Sequence, residues 1–156
     1  MNSNCKEMDS EIIDFIKQNN IAAFCCSDTN NKPYCFHSFY AFDAINYLLF
    51  FKSSSRTFHS KILSQNPYIA GSILPGKIEI LALKGIQLTG IILSTIDTDF
   101  MNPTTYYHKK FPFALAKPGD VWCIQLAELK MTDNSHVFGK KYTWKRTTPA
   151  LTDVAV

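Results

Sequence analysis

Met8, Ile12, Phe15 and Ile16 recur every three or four positions and stop at the polar pair Asn19-Asn20. That spacing predicts an amphipathic helix over about residues 9–19, with Ser10 as its cap and Glu11 and Asp14 in the first turn. The pattern then shortens. Residues 21–27 form a strand-sized apolar run, and Asp28-Thr29-Asn30-Asn31-Lys32-Pro33 follows as a turn. Strands are expected again at 34–42 and 47–52, joined by Asp43-Ala44-Ile45-Asn46. Connections this brief suit an antiparallel meander, since parallel strands need a long crossover.

After Ser53-Ser54-Ser55-Arg56-Thr57 a short helix is predicted, with Phe58, Ile62 and Leu63 as its buried stripe and Asn66-Pro67 as its end. Residues 68–74 and the long run 78–94 read as strands. Within the second, Gly85 and Gly90 mark bends or close backbone approach. Residues 97–110 have a helical, aromatic-rich pattern in which Pro103 is tolerable only near the start, and Phe111-Pro112-Phe113 closes it. The last clear strand is 121–132, where the apolar phase slips by one residue between Leu126 and Leu129, the mark of a bulge. About six strands with short turns and a few helices predict a mainly β protein, an antiparallel barrel or strongly curled sheet.

The 156 residues suit one domain, with residues 147–156 as a loose tail. With 46 % hydrophobic residues the chain is not of the disordered class. No apolar run approaches the roughly 20 residues of a membrane helix, and residues 1–10 lack the apolar stretch of a secretory signal, so the expected compartment is the cytoplasm. Sixteen basic against thirteen acidic residues leave a net charge of +3, and the pairs Lys109-Lys110, Lys140-Lys141 and Lys145-Arg146 are scattered. This is no nucleic-acid footprint, though it suits a small anion. Five cysteines (Cys5, Cys25, Cys26, Cys35, Cys123) without a CxxC are expected to be reduced thiols.

The chemistry-bearing stretch is Lys52-Ser53-Ser54-Ser55-Arg56-Thr57-Phe58-His59-Ser60-Lys61, which ends a strand and opens a helix. Hydroxyls and free N–H groups at a helix start bind anions, and Arg56, His59 and Lys61 add positive charge. The ordinary alternative is N-capping by a serine-rich turn. His37 beside Cys35 falls short of a metal site, because no second pair supplies the remaining ligands. A satisfied, partly buried histidine is expected there.

Three blocks add a resemblance: ALKGIQLTG at 82–90, YHKKFPFA at 107–114 and VWCIQLAELKMTDNSHVFGKKYTW at 121–144. In this order and spacing the chain resembles the YhbP-like branch of the pyridoxamine 5′-phosphate oxidase-like, FMN-binding split-barrel proteins. The resemblance implies a six-stranded antiparallel split barrel, forming a homodimer with FMN in a groove at the subunit interface. It places the phosphate at Lys52, Ser53, Thr57 and His59, with Arg56 and Lys61 nearby. His37 and Ser38 would make polar contacts to the ring, and Lys84 or a partner-subunit donor would offset charge on reduced flavin. Phe58 stands where relatives commonly carry Arg, which removes one charge-assisted contact. The function implied is an FMN-dependent oxidoreductase of unassigned substrate and catalytic residues. The alternative is a non-catalytic module that holds haem or a deazaflavin, or that has lost its cofactor.

Overall fold

The computed structural model describes residues 7–94 and 102–147. Its elements are α1 (Ser10–Gln18), β1 (Ile21–Ser27), β2 (Pro33–Phe39), β3 (Ala41–Asp43), β4 (Leu48–Ser53), α2 (Phe58–Gln65), β5 (Tyr68–Ile73), β6 (Lys84–Leu93), α3 (Pro103–Lys110), β7 (Asp120–Asp133) and β8 (Lys140–Lys145). Short 3₁₀ turns stand at Ile80–Ala82 and Pro112–Ala116. All strand pairings are antiparallel, in the order β2-β1-β5-β6-β7-β4-β3, with β8 beside the second half of β7. This is the curled sheet of a split barrel, built among the described residues from eight strands instead of six.

The two extra strands have identifiable origins. The run 34–42 divides at Tyr40, so its first part lies at one end of the sheet order and its last two residues, Ala41 and Phe42, at the other. β8 has a weak signal in the sequence because KKYTWK carries only two apolar side chains; Tyr142 and Trp144 alternate inward against β7. The run 78–94 is also shorter than its hydrophobicity suggests. Ile78, Ile80 and Leu81 are exposed, and the strand begins at Lys84.

Helix starts follow local polar chemistry. The α1 cap is Asp9, one residue before the expected Ser10, and its carboxylate accepts the Glu11 N–H at 2.9 Å. Pro103 sits at the first turn of α3, where its missing N–H costs nothing. The segment 95–101, including the expected start of that helix, and the tail 148–156 lie outside the described residues. The main core joins α1 (Ile12, Ile16) to Phe24, Leu49, Phe51, Ile73, Ile86, Ile124 and Leu126. A second cluster of Phe50, Leu93, Tyr107, Phe111 and Cys123 seats α3 on the opposite side of β4 and β7. Among the described residues no helix is long and apolar enough to cross a membrane.

The bulge falls where the phase slip indicated. Thr89 pairs with Glu128 but Gly90 pairs with Leu126, which leaves Ala127 as the extra residue. The break lets β7 turn from β4 toward β8, and Arg146 secures it, its backbone N–H on Ala127 O at 2.8 Å and Nε on Leu126 O at 2.7 Å. Gly90 is the close approach: a Cβ there would lie 2.6 Å from Gln125 O and 2.7 Å from Ile124 Cγ2. Gly90→Ala is expected to destabilise the protein by about 1–3 kcal/mol through backbone displacement. Urea unfolding should show a lower midpoint at unchanged slope; an unaltered midpoint refutes the packing argument.

Candidate functional site

The strand-to-helix corner at the end of β4 places hydroxyls at the start of α2. Thr57 is the N-cap, its Oγ1 accepting the Ser60 N–H at 3.3 Å. Ser53 Oγ lies 3.1 Å from Thr57 Oγ1, 2.7 Å from His59 Nε2 and 3.2 Å from Ser60 Oγ. Helical geometry explains the grouping, because positions 57 and 60 fall on one face and turn back toward Ser53. Arg56, Phe58 and Lys61 consequently point outward and are exposed.

His59 makes a hydrogen bond with Ser53 at this corner. Its ring stacks on Phe36 at 3.8 Å and 7°, and burial pushes its pKa below the ordinary histidine value. Phe58, expected in the buried stripe of α2, is 58 % exposed and meets Tyr34 edge-on at 5.0 Å. Ser60 takes its place inside, beside Ile62 and Leu63. The Phe58 ring is thus directed at the strand β2 flank and leaves the hydroxyl corner open.

Lys52, at the end of the same strand, is fixed differently. Its ammonium donates to Ala114 O at 2.7 Å and lies 3.0 Å from His108 Nε2. His108 Nδ1 is 2.9 Å from the Thr104 carbonyl, an acceptor only, so Nδ1 carries the proton and Nε2 accepts from Lys52. Gly119, at φ +134°, brings the chain after the 3₁₀ turn against the Ser53–Ser54 backbone, where a Cβ would come within about 3.0 Å.

These elements bound a cleft of about 400 Å³. Ser53, Ser54, Thr57 and Lys52 form its polar part, and Lys117 also lines it. Ile21, Phe39, Tyr107, Phe113 and Ala114 form an apolar wall, and His37 and Ser38 line the β2 side. Among the described residues β2 pairs only with β1, so its other edge carries backbone N–H and C=O groups outside the sheet ladder. His37 is exposed instead of partly buried, because an edge strand has no neighbour to cover it.

Of the nine residues singled out in the sequence, five (His37, Ser38, Lys52, Ser53 and Thr57) line the cleft. His59 stands behind Ser53, and Arg56 and Lys61 are exposed and outside the lining. Lys84 is elsewhere, paired with the buried Asp133 at 3.0 Å. The aromatic wall and Lys117 escaped sequence reading, since FPF looked only like a helix terminator and nothing local ties residues 107–118 to residue 53. A larger depression of about 910 Å³ lies on the outer sheet face between β6, β7 and β8. It lacks a comparable cluster of hydroxyls at a helix start.

No family profile matches the chain. Among proteins of known sequence, it is 34 % identical over 145 residues to a UPF0306 protein of Haemophilus ducreyi, covering 92 % of this chain and 99 % of that protein. The chain belongs to the UPF0306 family. Solved structures share its fold at low identity. A haem-binding protein from Mycobacterium smegmatis superposes with TM-score 0.68 at 13 % identity, over 83 % of this chain and 55 % of that one. A pyridoxamine 5′-phosphate oxidase-related, FMN-binding protein from Nostoc punctiforme gives 0.62 at 10 %, over 88 % and 89 %. An FAD-binding protein from Mesorhizobium loti gives 0.60 at 14 %, over 78 % and 91 %. The fold is the pyridoxamine 5′-phosphate oxidase-like split barrel.

The Lys84–Asp133 pair has a pH signature of its own. Burial alone would push the Asp133 carboxyl up, but hydrogen bonds from the Ser135 side chain and backbone, with the Lys84 ammonium, outweigh it and hold the pKa down at about 2. A depressed carboxyl stabilises the fold above its unfolded pKa, near 4, and loses that contribution as pH falls toward 2. Asp133→Asn should therefore unfold more easily than the natural chain at pH 7, with the gap narrowing between pH 4 and pH 2. A gap that stays constant across that window excludes the ionised pair as its cause.

Proposed function

We propose that this UPF0306 protein, read as one of the YhbP-like branch, binds FMN in the cleft between β2, the β4–α2 corner and the α3–3₁₀ segment. The observation that carries this reading is the cleft's lining, hydroxyls and lysines together with an aromatic wall. Its volume falls within the range of about 300–1,000 Å³ usual for small-molecule sites. Ser53, Ser54 and Thr57 would hold the phosphate, helped by the α2 N-terminus, with Lys52 and Lys117 supplying charge. Arg56 and Lys61 would act from the rim, in the place of the arginine that Phe58 lacks. Phe39, Tyr107 and Phe113 would pack on the ring system, and His37, Ser38 and the free β2 edge would meet its polar rim.

Bound flavin would supply hydride or electron transfer, which makes an oxidoreductase the favoured class, with its substrate unassigned. A second copy of the chain is part of the proposal. Ile80 and Leu81 are 92 % and 93 % exposed, and Val137 and Phe138 are 95 % and 97 % exposed. These two loops are neighbours, joined by the Asn134 N–H on Leu83 O and by the Lys84–Asp133 pair. Such an apolar projection calls for a covering partner, and a homodimer provides it. Ile80→Asp with Leu81→Asp should convert the dimer to monomer in light scattering after gel filtration. A natural chain that is already monomeric overturns the dimer.

A second reading is haem binding, favoured by the exposed His37 imidazole on the cleft's edge strand, in place to ligate iron. Flavin fluorescence titration separates the readings. FMN should bind much more tightly than riboflavin, and Ser53→Ala should weaken FMN about tenfold while leaving riboflavin little changed. Equal affinity for the two flavins denies the phosphate corner its role. No flavin binding, together with a haem Soret band that disappears in His37→Ala, replaces FMN with haem.

A further inference from the structure

Two thiols face each other on the outer surface of the β1–β2 hairpin, apart from the hydroxyl corner. Cys25 and Cys35 are directly opposed in the antiparallel register, and their sulfurs lie 2.6 Å apart. Opposed residues in such a ladder have Cα atoms about 4.5–5.5 Å apart, inside the span a disulfide bridges, so a bond forms without moving the backbone. β2 is an edge strand and Cys35 is exposed, whereas Cys25 is half-buried. The other described cysteines do not compete. Cys26 points inward with its sulfur on Tyr34 O at 3.6 Å, and Cys123 is buried in the α3 cluster.

We propose that Cys25 and Cys35 are a redox-active dithiol that reacts with low-molecular-weight disulfides to form a reversible cross-strand disulfide. The Cys35 thiolate attacks one sulfur of the small disulfide, whose S–S bond breaks and releases one thiol. The Cys25 thiolate then attacks the Cys35 sulfur of the mixed disulfide, forming the internal S–S bond and releasing the second thiol. The protein loses two protons and two electrons, and the small disulfide gains them as two thiols. The order of attack follows from the surroundings. Cys35 stands open to solvent on the edge strand as the entry sulfur, and Cys25, half-buried on the inner strand of the pair, is placed to attack it once the mixed disulfide has formed.

The bond would staple the strand that carries the β2 wall of the cleft. Cys35 lies two residues before His37, and the intervening Phe36 stacks on His59 behind the hydroxyl corner. Oxidation would therefore stiffen the edge nearest the site, whatever ligand occupies it.

The test uses the full chain with Cys5→Ser, which removes the one cysteine outside the described residues. After treatment with excess oxidised glutathione, mass spectrometry should show a loss of about 2 Da, reversed by dithiothreitol, with a linked peptide pair holding Cys25 and Cys35. Adding Cys25→Ser removes the resolving thiol, so a stable adduct of about 305 Da should remain on Cys35. Adding Cys35→Ser should abolish both products. Unchanged mass, a persistent adduct with both cysteines present, or a link to Cys26 or Cys123 each overturns the proposal.

Discussion

Tyr40 is the point on which closure of the barrel depends. The chain leaves β2 at one end of the sheet order and enters β3 at the other across this single residue. The two sheet ends must therefore meet within one peptide's reach, and the sheet has to curl. Every polar group of Tyr40 is engaged there. Its N–H donates to Asn20 O at 2.9 Å, its hydroxyl donates to Ile16 O at 2.7 Å, and its carbonyl accepts from Lys110 at 3.2 Å. The side chain has no accessible surface, so each of those bonds replaces one that water would otherwise supply. Helices α1 and α3 are fastened to the seam through this residue. Lys110 consequently has a structural task beyond solvation.

The same seam creates the cleft. Because β2 and β3 do not zip together, one edge of β2 stays open beside the end of β4, and α3 with its following 3₁₀ turn closes the far side. Lys52 ties those elements together, reaching from β4 to His108 on α3 and to Ala114 in the turn. The polar corner and the Tyr107–Ala114 part of the wall thus come from segments about fifty residues apart and meet only after the sheet has curled. Chemistry at such a junction is pre-organised by the fold, since the hydroxyls of Ser53, Thr57 and Ser60 already hold one another in place.

Much of this architecture was legible in the order of apolar and polar residues. The period of α1, the strand β1, the serine-rich opening of α2 and the phase slip at Ala127 all have local causes that act before any tertiary contact forms. Less legible was anything governed by burial on both sides. Ile80 and Leu81 look like strand interior yet are exposed, and KKYTWK looks polar yet supplies Tyr142 and Trp144 to the core. The β8 strand gains its place from pairing with β7, a partner its own residues do not reveal. His37 and Phe58 are more exposed than their sequence surroundings suggest, because hydropathy cannot tell an edge strand or a rim from an interior.

Local patterning by itself determined a mainly antiparallel β chain with an anion-friendly strand-to-helix corner, since hydrogen-bond capping and side-chain periodicity operate over a few residues. Tertiary structure alone decided which of that corner's groups turn inward, that His59 is held by Phe36 as a hydrogen-bonding ring, and that Lys117, Tyr107 and Phe113 line one cleft with Ser53. Lys84 shows the same limit from the other side, claimed by Asp133 at the far end of β6. The physical reason is range: a helix start orients its own side chains, but a cleft exists only where distant surfaces are brought together by closing the sheet at Tyr40.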